Sequence, residues 1–242
     1  MHTRKVMLID ENGKKFVVRN DSDFNTQYGL IEKKQLNKRS GAGADSVKTH
    51  LGHKYIMLEP TVTDMVEHMK MGSRPIYPYD SGIICALLNI RPGSKVLEAG
   101  TGSGGLATFM AELGAKVETY EREEEFYKKA VHNLGHYKNV KTHNSDIKKC
   151  RETGFDAVFL DLQNPDDYIA FANKKLRHGG MIGIYSPIMD DIKPVWRALE
   201  KNKFGEIRAV QLDLKELIVK KYTRVKDLLG FPGFFIWARK MM

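Results

Sequence analysis

The chain has 242 residues, 42% of them hydrophobic, and its 39 Lys and Arg against 30 Asp and Glu give a formal net charge of +9. This length is sufficient for a full α/β core and a second small domain, and no apolar run approaches the roughly 18 residues of a membrane span. The start of the chain is too charged for a secretory signal, and its two cysteines, Cys85 and Cys150, fit neither a disulfide framework nor a zinc site. We expect a reduced, cytoplasmic protein without a bound metal.

The positive charge is concentrated at the two ends of the chain. Residues 1–59 hold 11 Lys and Arg against 7 Asp and Glu, and residues 193–242 hold 12 against 5. Residues 60–192 are slightly acidic, with 16 against 18. Two interpretations stay open, because basic ends either serve solubility or contact a phosphate backbone.

The N-terminal region, residues 1–59, has the pattern of a small β domain. Short apolar strands at 6–9 and 16–19 flank Asn12-Gly13, a hairpin signal, and 55–58 is another strand. His50 and His53 lie here without acidic or sulfur partners nearby, so they do not indicate a metal site. Basic residues surround the loop 40–43 and form a candidate phosphate-contacting face, among them Lys38 and Arg39.

A helix and a proline-rich loop follow. The stretch 60–71 predicts a helix opened by Thr61, with Asp64 three residues later as a capping-box partner. In the loop that comes next, two prolines hold an extended segment that presents Tyr77 and Tyr79. We expect the helix after this loop to span 83–89, capped by Asp80 or Ser81.

The stretch VLEAGTGSGG, residues 96–105, predicts a buried strand, a tight turn and a helix start. Glycines in such a turn let backbone N–H groups approach a ligand at the positive end of the helix. A dinucleotide fingerprint would use Gly100, Gly102 and Gly105. The rival pattern E-x-G-x-G-x-G is complete, and it resembles motif I of the class I S-adenosylmethionine-dependent methyltransferases. The candidate cofactor-binding residues in this stretch are Glu98, Gly100, Thr101, Gly102, Ser103 and Gly104.

Acidic residues after the next strands support a bound nucleoside. Glu121 follows a strand at 115–120, about twenty residues after the glycines, where a carboxylate can accept ribose hydroxyls. Its alternative is a solvated charge in the run EREEE. Asp146 follows a strand at 139–143, where the methyltransferase family places an acid beside the adenine amino group. Phe126 either packs on the adenine or belongs to the core.

The strand 155–160 ends at Asp161, which we interpret as the best catalytic candidate because ligands lie off the carboxyl ends of parallel strands. Beyond it, the patterns predict a helix at 166–177 stopped by Gly179-Gly180, a strand at 181–185 and a helix at 190–202. Two further strands, at 206–219 and 233–237, are expected to close the sheet as an antiparallel pair. The basic connection 220–230 is expected near the strand ends.

With these residues placed, the chain resembles the tRNA (adenine-N1)-methyltransferases that modify the T-loop adenine, and it is most similar to the archaeal form. The resemblance extends over most of the length and rests on a combination of motifs rather than on the glycines alone. The matching motifs are T-x-x-G at Thr26 and Gly29, V-x-T-H-x-G at 47–52, P-T at Pro60 and Thr61, I-Y-P-x-D at 76–80, VLEAGTGSG, Y-E at Tyr120 and Glu121, and D-L-x-x-P at 161–165.

The resemblance implies an α/β fold, with a Rossmann-like class I methyltransferase domain at 60–242 preceded by a small β-barrel-like, tRNA-binding domain at 1–59. It also implies S-adenosylmethionine as cofactor and a homotetramer. Asp161 is then expected at the exocyclic amino group of the substrate adenine. Tyr77 is expected as a wall or hydrogen-bonding partner of a flipped base, or as a packed loop aromatic. Arg224 is expected to contact substrate, although Tyr79 and Val225 depart from the family pattern.

Three other functions are compatible with parts of the pattern. A protein isoaspartyl carboxyl methyltransferase shares motif I but has no need of a basic N-terminal domain. A non-catalytic tRNA-binding subunit would not need a complete cofactor loop. A nicotinamide-dependent oxidoreductase would share the glycines and Glu121.

Overall fold

The chain forms two compact units, Met1–Met69 and Lys70–Met242. The computed structural model describes residues 4–37, 45–72, 76–215, 217–220, 222–225 and 233–242. Within these ranges, none of the helices has both the length and the apolar character that crossing a membrane would require. Lys38, Arg39 and the loop 40–43 of the candidate phosphate-contacting face lie outside the described residues.

The first unit is built mainly of antiparallel strands. Four of its described strands form one sheet in the order β2-β1-β6-β5, and β3 pairs with β4 in a separate ribbon. Its apolar core includes Leu8, Ile31 and Tyr55. The described elements are β1 (Lys5–Ile9), β2 (Lys15–Arg19), β3 (Phe24–Thr26), β4 (Gly29–Ile31), α1 (Lys33–Leu36), β5 (Asp45–Lys48), β6 (Lys54–Leu58) and α2 (Val62–Glu67).

Two local predictions for this unit are confirmed. The Asn12-Gly13 signal marks the hairpin between β1 and β2. The capping box is also present, since the Thr61 hydroxyl accepts from the Asp64 N–H at 3.2 Å and the Thr61 N–H donates to Asp64 Oδ2 at 3.0 Å. Burial opposes ionisation of Asp64, but hydrogen bonds from Lys15 and Thr61 lower its pKa to about 2. The helix ends at Glu67, earlier than expected.

The second unit is a seven-stranded, mostly parallel sheet with helices on both faces. The described strands run in the order β12-β15-β11-β10-β7-β8-β9, and β15 is antiparallel to both of its neighbours. The elements are α3 (Pro78–Leu87), β7 (Lys95–Ala99), α4 (Gly105–Glu112), β8 (Lys116–Glu121), α5 (Glu124–Leu134), β9 (Val140–Asn144), β10 (Phe155–Leu160), α6 (Ile169–Lys175), β11 (Leu176–Ser186), α7 (Ile192–Lys201), β12 (Phe204–Leu212), β13 (Leu217–Val219), β14 (Thr223–Val225) and β15 (Gly233–Lys240), with 3₁₀ turns at Ile147–Lys149, Pro165–Tyr168 and Met189–Asp191.

Strand β10 shows why this sheet is covered on both faces. Its residues alternate between two cores, with Val158 and Leu160 in the core that holds α6 and α7. Ala157 and Phe159 belong to the core that holds α3, α4 and α5. A strand that is apolar on both sides is typical of a central parallel strand, so the predicted α/β fold is confirmed.

Three element predictions are wrong in their bounds. Helix α3 begins at Pro78, which suits the first helical position because its fixed φ is helical and no N–H is needed there. Asp80 and Ser81 therefore lie inside the first turn rather than capping it. Gly179-Gly180 lies within β11, at a shift of its register with β10, and does not end the preceding helix. The expected strand 206–219 is divided, because β12 leaves its partner β15 at Leu212 and β13 pairs with β14.

Candidate functional site

The glycine turn, residues 100–104, connects β7 to α4. Gly100 has φ +87°, Gly102 +53° and Gly104 +87°, all in the left-handed region that favours glycine. Gly100 also lies against the end of β10, where an added Cβ would be 1.9 Å from the Asp161 carbonyl oxygen. The Asp161 N–H donates to the Ala99 carbonyl at 2.9 Å, which fixes this approach. The turn therefore needs glycine both for its backbone conformation and for the contact with Asp161.

We expect Gly100→Ala to lower the free energy of unfolding and to reduce ligand binding at this turn. The left-handed φ alone costs an alanine about 1 kcal/mol, and the clash with Asp161 adds to that cost. Gly154→Ala is the matched control, because Gly154 has φ +78° with nothing within 4 Å of an added Cβ. Thermal unfolding of both variants separates the two effects. Equal losses would mean that the close approach does not constrain the turn.

Glu98, in β7, is a buried carboxylate with an unsatisfied oxygen. It is 2% exposed, and its Oε2 has no hydrogen-bond partner among the described residues. Burial raises the pKa of Glu98 to about 8, against a hydrogen bond from Thr119 and with a smaller contribution from repulsion by Asp161 and Glu121. A buried acceptor without a donor is costly, so this arrangement points to a ligand that brings a donor or a positive charge.

Asp161 and Glu121 complete a carboxylate cluster with Glu98. Asp161 follows β10 and is half-buried in the cavity wall. Its removal from solvent, together with the Glu121 carboxylate, raises the pKa of Asp161 to about 7. Because Glu121 repels negative charge on both Asp161 and Glu98, this cluster fits a cationic ligand better than an anionic one.

Glu121 is held in place by two backbone donors. Its Oε2 accepts from the Gly102 N–H at 2.9 Å and its Oε1 from the Glu123 N–H at 3.0 Å. The residue is 8% exposed, so it is not a solvated charge. Glu124 and Glu125 of the same acidic run are solvated charges, since they form exposed ion pairs with lysines one helical turn later in α5. Each Glu121 oxygen keeps a free lone pair for a ligand hydroxyl.

Asp146 lies in a polar group at another part of the same cavity. Its Oδ1 accepts from the Lys148 N–H at 2.7 Å and its Oδ2 from the Tyr168 hydroxyl at 3.0 Å. Arg122 Nη1 is 3.9 Å from that Oδ2, and Lys148 Nζ lies 4.5 Å from the Tyr168 ring centroid. These contacts fix the Asp146 carboxylate at the cavity edge.

The glycine turn, Glu121, Asp146 and Asp161 border one cavity of about 370 Å³ at the carboxyl ends of β7, β8, β9 and β10, and Glu98 is not among its lining residues. This is the edge of a parallel sheet at which ligands bind. Six predicted residues line it. The full lining is Ala99, Gly100, Gly102, Tyr120, Glu121, Arg122, Glu123, Phe126, Ser145, Asp146, Ile147, Asp161, Leu162, Gln163 and Tyr168.

Other predicted cofactor residues lie behind the cavity wall and shape it. The Thr101 and Thr119 hydroxyls are 2.5 Å apart, and the Ser103 hydroxyl accepts from the Gly72 N–H at 2.8 Å. Gly104 is the N-cap of α4. These residues support the turn and do not line the cavity.

The predicted substrate residues are not part of this lining. Tyr77, the N-cap of α3, stacks on the Tyr79 ring with centroids 5.4 Å apart. Arg224 lies exposed in β14, opposite Ile218.

Sequence reasoning missed Arg122, Leu162, Gln163 and Tyr168. Arg122 and Leu162 each follow a predicted site residue directly, a signal that was available. Tyr168 enters the site through the turn Pro165–Tyr168, which no periodicity in the sequence reveals.

Comparison with known proteins agrees with this geometry. Residues 55–230 match the family model described as tRNA methyltransferase complex GCD14 subunit. The tRNA (adenine(58)-N(1))-methyltransferase TrmI of Thermus thermophilus is 30% identical, over 97% of this chain and 96% of that protein. The tRNA (adenine(57)-N(1)/adenine(58)-N(1))-methyltransferase TrmI of Methanocaldococcus jannaschii is 29% identical, over 96% of this chain and 94% of its own length.

A solved structure shares the whole fold. The SAM-dependent O-methyltransferase of Thermotoga maritima superposes with a TM-score of 0.80 at 26% identity, covering 100% of this chain and 94% of that one. The expected class I methyltransferase fold is thereby confirmed. The family model covers well over half of the sequence, and the chain belongs to the GCD14 family of tRNA methyltransferases.

Proposed function

We propose that this protein transfers a methyl group from S-adenosylmethionine to N1 of an adenine in the T loop of tRNA. The observation that carries the proposal is the unsatisfied, buried Glu98 carboxylate beside the glycine turn, within a cluster of three acids. A cofactor with an ammonium group and a sulfonium centre supplies the donor and the positive charge that this cluster lacks. The family and the two TrmI relatives support tRNA as the methyl acceptor.

Glu98 and the residues that line the cavity fit the parts of this cofactor. Glu98 would accept from its ammonium group, Glu121 from the ribose hydroxyls, and Asp146 from the adenine amino group. Phe126 would pack on the adenine. Bound there, S-adenosylmethionine supplies an electrophilic methyl group on sulfur.

The chain's own task is to align the substrate base and stabilise the charge that develops on it. Adenine N1 already carries a lone pair, so no base is needed to create the nucleophile. The Asp161 carboxylate would accept from the exocyclic amino group and stabilise the positive base in the transition state. Tyr77 would bound the pocket of a base turned out of its stack.

The proposal extends to substrate contacts and assembly. The basic ends, with Arg224 and with Lys38 and Arg39 beyond the described residues, would contact tRNA phosphates. A homotetramer, which rests on the resemblance, and a cytoplasmic location, which rests on the number and spacing of the two cysteines, are further parts of the proposal.

Incubation with labelled S-adenosylmethionine and unmodified tRNA, followed by nucleoside mapping, tests the proposal. We expect 1-methyladenosine in the T loop, and none in a parallel reaction without protein. Label on a nucleoside oxygen, or label only on an isoaspartyl peptide offered as an alternative acceptor, would contradict it.

Glu121→Ala is expected to weaken S-adenosylmethionine binding while leaving the fold intact. The Gly102 and Glu123 amides hold the Glu121 carboxylate in position, and the change removes it as an acceptor for the ribose hydroxyls. Two charge-assisted hydrogen bonds from the ribose are worth on the order of 2 kcal/mol together. Calorimetric titration should show an affinity about thirtyfold lower. Glu124→Ala, in an exposed ion pair of the same acidic run, is the control and should bind normally. If Glu121→Ala bound S-adenosylmethionine with unchanged affinity, Glu121 would not be a cofactor-binding residue.

A further inference from the structure

Two turns of the first unit are joined by His50. The turn between β3 and β4 carries Tyr28, and the turn between β5 and β6 carries His50 and His53. The Leu30 N–H donates to His50 Nδ1 at 2.8 Å, and the His50 N–H donates back to the Leu30 carbonyl at 2.9 Å. Gly29, at φ +106°, allows this approach, since an added Cβ would be 2.9 Å from the His50 ring. The two turns are therefore held in one fixed arrangement.

This arrangement stacks two rings at the surface. The Tyr28 and His53 rings have centroids 4.7 Å apart and an interplanar angle of 28°. The His53 backbone is held at both its polar atoms, because its N–H donates to the Thr49 hydroxyl at 3.2 Å and its carbonyl accepts from the Thr49 N–H at 3.0 Å. Tyr28 is half-buried, and His53 is exposed. Tyr28 stacks on one face of the His53 imidazole, and the opposite face of the imidazole is directed away from Tyr28.

The surroundings of this ring pair are cationic and apolar. Lys48 and Lys54 are opposite one another in the β5–β6 register and are both exposed. Within the described part of the chain neither lysine forms an ion pair. Leu51, at the tip of the same turn, is 65% exposed. The surface thus combines a preformed aromatic stack with positive charge that no carboxylate of the described residues neutralises.

We propose that the Tyr28–His53 pair is a stacking platform for an unpaired nucleobase of the tRNA substrate, with Lys48 and Lys54 beside the adjoining phosphates. Proteins bind unpaired nucleotides by stacking bases on aromatic side chains within a basic surface, and a ring fixed in advance loses little entropy on binding. This inference rests on the proposed function and adds a contact to the base, separate from contacts to phosphate.

The test measures tRNA affinity at several salt concentrations for single variants of the full chain. His53→Ala is expected to weaken tRNA binding by about tenfold, the usual scale for one stacked base, without changing the slope of log affinity against log salt. His53→Phe should restore affinity, because stacking needs an aromatic face and not the imidazole nitrogens. The double variant Lys48→Glu, Lys54→Glu should lower the salt slope by about 2.

His136→Ala is the matched control, because His136 and Tyr137 form a comparable ring pair in the second unit, with centroids 4.0 Å apart. It should bind tRNA like the parental protein. If His53→Ala bound tRNA with the parental affinity, the platform would be overturned. The same holds if His53→Phe and His53→Ala bound tRNA equally weakly while their melting temperatures were unchanged. Tyr28→Leu provides a second variant that removes the stack from its other side. If the parental protein neither binds nor methylates tRNA, the proposed function fails, and the platform fails with it.

Discussion

Replacing Asp161 by alanine is expected to slow methylation of tRNA by about a hundredfold or more, the usual scale for removing a positioned electrostatic group. The residue lies at the end of β10, against the glycine turn and inside the cavity. In the proposed mechanism this carboxylate stabilises the positive charge that develops on the base. Melting temperature and tRNA affinity should change little, because the Asp161 side chain lines the cavity rather than the core. Single-turnover rates at saturating tRNA and cofactor measure the effect.

Asp161→Asn separates charge from shape. With the cofactor saturating, the parental rate should fall at acidic pH, since burial raises the pKa of Asp161 above the ordinary aspartate range and the protonated group cannot stabilise a cation. The amide of the Asn variant does not titrate, so this pH dependence should disappear along with most of the rate.

Asp156→Asn is the matched control for Asp161. It lies in the same strand, β10, and forms an ion pair with Arg177 at 2.6 Å, outside the cavity. It should methylate at close to the parental rate. If Asp161→Asn did so too, the carboxylate charge would be unnecessary, and the mechanism would reduce to alignment by Tyr77 and the backbone.

Glu98→Gln is expected to have opposite effects on binding and on stability. The variant should bind S-adenosylmethionine about a hundredfold more weakly, because glutamine cannot form the charge-assisted hydrogen bond that a carboxylate offers the cofactor ammonium, and such a bond in a dry site is worth up to about 3 kcal/mol. The same change should stabilise the cofactor-free protein at high pH. Calorimetric titration measures the first effect and thermal unfolding at several pH values the second.

The direction of the stability effect follows from the raised pKa of Glu98. Burial raises it to about 8 in the folded protein, so folding favours the protonated acid and stability is lost as the pH rises from the ordinary glutamate range of about 4 through 8. The neutral glutamine avoids this loss. The variant should therefore melt higher than the parental protein at pH 9 and equally at pH 4, with each kcal/mol worth about 3 °C.

Glu118→Gln is the matched control for Glu98. Glu118 is a buried carboxylate of β8, 8% exposed, but it has a cationic partner, since Lys141 Nζ lies 3.3 Å from its Oε1. Removing a paired charge should not raise the melting temperature at pH 9, and cofactor affinity should be unchanged. A Glu98→Gln protein that melted no higher than the parental one at that pH would show that Glu98 is already neutralised without a ligand.

The sequence by itself determined the features that depend on neighbours along the chain. Thr61 and Asp64 form a capping box because the motif needs only three residues of spacing. The strand ending before Asp161 was predicted with its bounds, since a continuous apolar run between polar turns has few alternatives. The glycine turn likewise follows from its own residues, whose φ values only glycine adopts readily.

Only the tertiary structure decided the features that depend on distant partners. Glu98 became an unsatisfied acid because neighbouring elements exclude water from β7, which no local pattern reports. Glu121 was separated from the solvated acids beside it by the Gly102 amide, 19 positions away. Asp146 was fixed by a hydrogen bond from Tyr168, which follows β10 in the chain while Asp146 precedes it. Burial and long-range hydrogen bonds set the chemistry of a carboxylate, and both arise only when the strands are brought side by side.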